Sequence, residues 1–231
     1  MGNQQIVAYI EEDQLIAQKT NNYSLYLAKK VNNDFTVIWI SKGPKATAGQ
    51  PSYQYKNTVD ISTLSFMVNF TNDPVQEGDI TFTSGGKNLP INTGQMTTLT
   101  ENGVFTPAKN GGQPGDILIN NQLEAHPREI VLDSKGCCIW VDCAGGMNIG
   151  ASTMTPKNEF QLWFGPFQLM GSLIPKGVSN SIIVAVNDGE SKTVTYNNSG
   201  VWVLGEPANL LTDIEVEALH ARVAKAVALS V

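Results

Sequence analysis

Turn-forming residues limit what this chain can fold into. Over the first 205 of its 231 residues, Gly, Pro, Asn and Asp signals recur about every 8 to 12 residues, the spacing of a β-sandwich or barrel. "YSLYLAKK" and "FTVIWISK" flank "VNND" and read as a hairpin. "LSFMVNFT" and "ITFTS" follow, on either side of "NDPVQEGD". "GQMTTLTENGVF" carries an Asn-Gly turn, and "GDILINN" precedes a strand that holds the cysteines. "EFQLWF" and "FQLMGSLI" read as a pair broken at Gly165–Pro166, and "SIIVAVNDGESKTVTY" turns at Asp188–Gly189, a favoured hairpin dipeptide. "GVWVLG" closes the sheet region, while "IVAYI" and "LIAQKT" read as strands around the acidic turn "EEDQ". The Gly/Pro stretch "PAKNGGQPGD" is the best internal boundary, yet neither side of it carries a complete core pattern. The expectation is a single all-β unit, an antiparallel β-sandwich over 1–205, with a C-terminal α-helix over 206–231 packed on it.

That helix announces itself by a change of period. Thr212 at the N-cap and Glu215 three residues on form a capping box. Val216, Leu219, Val223 and Ala226 then recur at spacings of 3 and 4 with Val227 alongside, one apolar stripe down a helix. Ala218, Ala221, Ala224 and Ala228 flank the stripe and permit close approach of a second surface. The expectation is one face on the sandwich and the other near a two-fold partner, a homodimer.

All three cysteines fall in "GCCIWVDCAGG". Read as a strand, the run puts Cys137, Ile139, Val141 and Cys143 on one face and Cys138, Trp140 and Asp142 on the other. At roughly 3.3 Å per residue, Cys137 and Cys143 stand about 20 Å apart, too far for a disulfide or shared metal. No C-x-x-C spacing exists, and the two histidines, His126 and His220, are distant. The thiols read as free, and no metal is expected.

Other classes are disfavoured in turn. A net charge of −6 without a basic run argues against nucleic acid. No window of 18 apolar residues exists, so no membrane span is expected. "MGNQQIVAYI" has no signal-peptide pattern, and Ile6 breaks the myristoylation pattern; with free thiols, the reading is cytoplasmic. No G-x-S-x-G, H-E-x-x-H, P-loop or G-x-G-x-x-G occurs. His126 stands in a loop beside proline, and His220 on a helix flank. Asp142 is either a half-buried acceptor or a rim residue. Nothing assembles a nucleophile, base and orienter, so the chain reads as non-enzymatic.

Aromatic surface is the richer signal. "NEFQLWFGPFQLM" assigns Phe160, Leu162 and Phe164 to the core face and leaves Gln161 and Trp163 opposite. Either a second packed layer covers Trp163, or it walls a pocket, where a large ring with one N–H is at home. Trp163, Phe167 and Met170, with Trp140, are the candidate contacts for a bound aromatic molecule, since thioether and ring faces suit a flat ligand. The asparagines are mostly turn formers, but with a Trp they could line a sugar site.

Through "NTVDISTLSFMVNFT", "INTGQMTTLTENGVFTP", "ILINNQLEAHP", "MTPKNEFQLWF" and "VTYNNSGVW", the chain resembles the fungal fruit-body β-sandwich proteins, a signal-less group whose named member is the pink chromoprotein of oyster mushrooms. The resemblance spans about residues 35 to 204 and rests on loose strand-and-turn patterns. It implies a cytoplasmic fruit-body protein that holds a small conjugated organic chromophore, and it carries over no pigment-binding residues. Fruit-body lectins and sandwich-type pore formers share only the all-β outline. The expected function is a binding protein for a small aromatic or conjugated ligand, a pigment; a cytosolic carbohydrate-binding lectin or a membrane-active defence protein is the alternative. A pore former should begin with an amphipathic helix, against which the strand reading of "LIAQKT" counts.

Thiol titration of the denatured, unreduced protein is expected to find 3 free thiols. A count of one, or stoichiometric zinc, contradicts the cysteine assignment.

Overall fold

Short alternating runs become short strands that sort into four sheets. The computed structural model describes residues 4–61, 65–75 and 85–229. One sheet runs β16 (Trp202–Leu204), β15 (Ser191–Tyr196), β1 (Gln5–Ile10), β4 (Lys56–Asp60). A second runs β14 (Ser181–Ala185), β13 (Pro156–Gly165), β2 (Ser24–Val31), β3 (Ile40–Lys42). The third is β11 (Cys138–Val141), β10 (Arg128–Asp133), β5 (Phe66–Thr71), β6 (Leu89–Ile91). The fourth is β12 (Gly150–Met154), β9 (Ile117–Asn121), β7 (Gln95–Leu99), β8 (Lys109–Asn110). The architecture is all-β with a C-terminal helix, as the turn spacing predicts. Pairing is antiparallel except between β1 and β15 and between β7 and β9, which run parallel. A single buried cluster draws on every sheet, with Ile6, Phe160, Val68 and Ile119 among its members.

Several local readings are corrected. "LIAQKT" is not a strand: Glu12–Thr20 form a helix, α1. Glu12 and Asp13 in its first turn and Lys19 in its last suit the helix dipole, and Leu15 is fully buried. The argument against a pore former from a missing N-terminal helix therefore fails. "FQLMGSLI" is a loop, and β13 pairs instead with β2 and β14. Gly189 does turn the chain (φ 75°), but β14 and β15 enter different sheets and form no hairpin. The strands β4, β6, β8, β10 and β12 are additional to the sequence reading. "ITFTS" lies outside the described residues.

The C-terminal helix α2 (Asp213–Leu229) starts where its capping box predicts. Thr212 N–H donates to Glu215 Oε2 at 2.8 Å, and Glu215 N–H donates back to Thr212 Oγ1 at 3.4 Å. Leu219 and Val223 are buried in the common core, each worth roughly 1.5–3 kcal/mol. On its other side Arg222 grips the Glu12 carboxylate of α1 with two parallel bonds, 2.5 and 2.8 Å. The alanine flank (Ala218, Ala221, Ala224, Ala228) is exposed. Among the described residues, no helix is long and apolar enough to cross a membrane.

One charge sits where the strand pattern gives no warning. Lys29 of β2 is 3% exposed, its Nζ donating to Lys157 O at 2.8 Å and lying 4.5 Å from the Phe160 ring centre. Burial lowers its pKa from 10.5 to about 8, with Asp188 opposing the shift. Below pH 8 both folded and unfolded chains carry the charge and the folded state bears the whole desolvation cost, on the order of 3 kcal/mol. As pH rises from about 8 to 10.5, that cost is lost. Lys29→Met is therefore expected to stabilise the protein at pH 7 by up to about 3 kcal/mol. Urea unfolding at several pH values should show the advantage shrinking above pH 8; an advantage that is constant or grows with pH contradicts it.

Candidate ligand-binding cleft

After β13 ends at Gly165, residues 166–176 cross the sheet as a strap. Tyr26 OH donates to Pro166 O and accepts from Gln168 N–H, both at 2.7 Å. Ile38 N–H donates to Ser172 O (3.0 Å), Gly171 N–H to Ile38 O (2.8 Å) and Ile174 N–H to Thr36 O (2.9 Å). Gly171 is left-handed (φ 81°), which turns the strap back along residues 36–38. Beneath it Trp163 packs with Tyr26, Ala28 and Ile38, covered by Phe35, Ile174 and Val178. Trp163 is thus held by a second packed layer made by the strap, with 2% of its surface exposed.

Two cavities lie along the strap, and a third adjoins the second of them. The first, of about 400 Å³, is walled by Trp163, Phe164, Tyr23 and Tyr196. The second, of about 810 Å³, is walled by Phe35, Trp140, Leu173, Ile174 and Cys143. They share Gln168, Pro175 and Lys176. The third, of about 570 Å³, is polar and shares Trp140, Asp142 and Ala144 with the second. Volumes of roughly 300–1,000 Å³ are those of small-molecule sites.

Trp140 reaches this junction because β11 is irregular. A bulge between Val131 and Leu132 of β10 makes Leu132 face Cys138 and Val131 face Trp140. Alternation breaks there: Cys137, Ile139 and Trp140 join the main core, while Cys138 and Val141 join Val37, Ile130 and Leu132 in a separate cluster. The expected faces, Cys137 with Val141 and Trp140 with Cys138, are corrected accordingly. Cys143 falls beyond the strand. Trp140 is 5% exposed, and its Nε1 is buried with no acceptor among the described residues.

Asp142 ties the loop that follows. Its carboxylate accepts from Ala144 N–H (2.9 Å), Gly145 N–H (3.2 Å) and Gly146 N–H (2.5 Å), and Arg128 stands 3.9 Å away. Gly146 (φ 84°) is required here, since a Cβ would lie 2.0 Å from His126 O. His126 (φ 50°) and Ala125 (φ 84°) are themselves left-handed, and His126 is exposed at the edge of the polar cavity. Glu129, 5% exposed, accepts a very short bond from Ser152 Oγ in that cavity. Burial holds the Glu129 carboxyl above the ordinary carboxylate range, and the Ser152 bond opposes this.

Of the predicted contacts, Trp163 and Trp140 line different cavities on either side of the strap. Phe167 (57% exposed) and Met170 (43%) lie on the strap itself and line none of the three. Their predicted placement on a strand beside β13 is corrected: Pro166 and the left-handed Gly171 keep the segment out of the sheet. Phe35, Leu173 and the Glu129–Ser152 pair are missing from the sequence reading; an acid inside the β-forming run "REIVLD" is the one signal that points to the last. Cys137, Cys138 and Cys143 are unpaired, and burial raises all three thiols, Cys138 to about 12. Among the described residues, no cluster of His, Cys, Asp and Glu suits a metal. His220 is exposed on α2, away from these cavities.

No protein-family model, curated protein or solved structure matches the chain.

Asp142→Ala would leave three amides of the 144–146 loop without their acceptor. It is expected to cost about 1–3 kcal/mol, with amide exchange accelerated at these positions while β13 and β2 keep their protection. Unchanged exchange at 144–146 contradicts the role given to the carboxylate.

Proposed function

We propose that the protein is a non-enzymatic carrier of a small, flat, largely apolar ligand, seated in the cleft of about 810 Å³ between Trp140 and the strap. The supporting observation is Trp140. It lines the cleft, it is almost wholly buried, and its indole N–H has no acceptor among the described residues. A buried donor left unpaired costs about 1–3 kcal/mol, which a ligand acceptor would recover once the groups packed over the nitrogen give way. Phe35, Leu173, Ile174 and Pro175 supply apolar walls, and Lys176 and Gln168 supply polar groups for orientation. The resemblance to fruit-body chromoproteins favours a conjugated pigment as that ligand. Trp163 then contributes through the strap it supports and not as the principal contact. The exposed alanine flank of α2 is taken as the contact between two copies.

Native mass spectrometry of protein purified without denaturation tests both parts. The expected spectrum shows two chains of 24.9 kDa, each with a discrete added mass that disappears on denaturation or, for a covalent ligand, persists. Visible absorbance should travel with the protein through gel filtration. Trp140→Phe, which keeps the ring and removes the N–H, should weaken ligand retention about tenfold. Bare chain mass without added absorbance contradicts the carrier reading, and a monomer contradicts the dimer.

A further inference from the structure

The polar cavity adjoins the proposed carrier cleft, sharing three lining residues with it, and differs from it in chemistry. Trp140, Asp142 and Ala144 line both chambers. On the cleft side their neighbours are Phe35, Leu173 and Ile174. On the other side they are Asn32, Glu129, Asn148, Ser152 and Thr153. A carboxyl, two amides and two hydroxyls around one indole offer donors and acceptors in the mixture that a ring of hydroxyl groups can satisfy. Glu129 is nine-tenths buried and has Ser152 as its side-chain partner, so carboxyl lone pairs remain to accept further hydroxyl donors. The chamber, of about 570 Å³, has room for a single sugar ring.

We infer that the polar chamber is a saccharide subsite, and that the ligand class is a glycoside: a flat apolar aglycone in the cleft and one neutral sugar beyond Trp140. The inference rests on the carrier reading for the aglycone. For the sugar it rests on Glu129, Ser152 and Asn148 alone. Asn148 takes part in the fold through its backbone carbonyl, which accepts from Asn121 Nδ2 at 3.2 Å, so its side chain can be removed without touching that bond.

The test uses the full chain and a fluorescent aglycone, 4-methylumbelliferone, with its glucoside, galactoside and N-acetylglucosaminide. Equilibrium dialysis gives each affinity. At least one glycoside is expected to bind ten times or more tightly than the free aglycone. Glu129→Gln and Asn148→Ala should each erase most of that gain while leaving aglycone affinity unchanged. If Glu129→Gln does not fold, Asn148→Ala carries the same test. If the aglycone binds and no glycoside exceeds it, the saccharide subsite is overturned and the carrier reading stands. If a glycoside gains affinity but neither variant reduces it, the sugar sits elsewhere and the subsite is again overturned. If neither aglycone nor glycoside binds, both readings fail.

Discussion

One buried carboxylate holds together the two walls of the cleft. Asp133 accepts from Trp39 Nε1, Lys135 N–H and Cys137 N–H, each at 2.9 Å. The last two bonds close the turn between β10 and β11, next to the bulge that delivers Trp140 to the cleft. The first reaches across to the segment 36–39, whose backbone carries the strap. Val141 N–H adds a second link to that segment through Thr36 Oγ1 at 3.0 Å. A buried polar group is tolerable only with its hydrogen bonds made, because removing one partner leaves an unsatisfied group inside. Asp133 therefore ties the turn that presents Trp140 to the segment that carries the strap.

The cleft differs in kind from the rest of the molecule. β13 is paired on both edges, and its inward side chains enter the common core. The strap is held by a few backbone bonds, an isolated bridge at Val37–Leu173 and the Tyr26 hydroxyl. Its outer residues Phe167, Leu169 and Met170 are exposed. Segments with few buried side chains open at lower free energy than core strands. That places a loop directly over a cavity, on a sheet whose central strands are paired on both edges.

The sequence made some of this legible and hid the rest for physical reasons. Turn spacing reports strand length, so the all-β class followed from it, and the Thr212–Glu215 box reports a helix start through local bonds alone. The bulge in β10–β11 leaves no trace in "CCIWVDC", because alternation can be read only if every residue is paired. "FQLMGSLI" looks like a strand by composition, yet Pro166 and a left-handed Gly171 decide otherwise. "EEDQ" looks like a turn, though its acids serve a helix N-terminus equally well. The sequence leaves Trp163 between a packed layer and a pocket wall, because the strap that covers it comes from residues whose composition suits a sheet. Glu129 and Ser152 stand 23 positions apart in different sheets, so only the fold brings them together.

The most direct measurement of the central claim is the set of indole N–H resonances in a ¹⁵N-labelled sample, recorded on protein purified without denaturation and again after unfolding, dialysis and refolding. The four tryptophans give four such signals. Trp39, bonded to Asp133 in the fold itself, should stay in place. Trp140, which has no acceptor among the described residues, should lie downfield with ligand and move upfield without it. A Trp140 signal that stays fixed while that of Trp163 moves would put the ligand on the other side of the strap and contradict the assignment of the cleft.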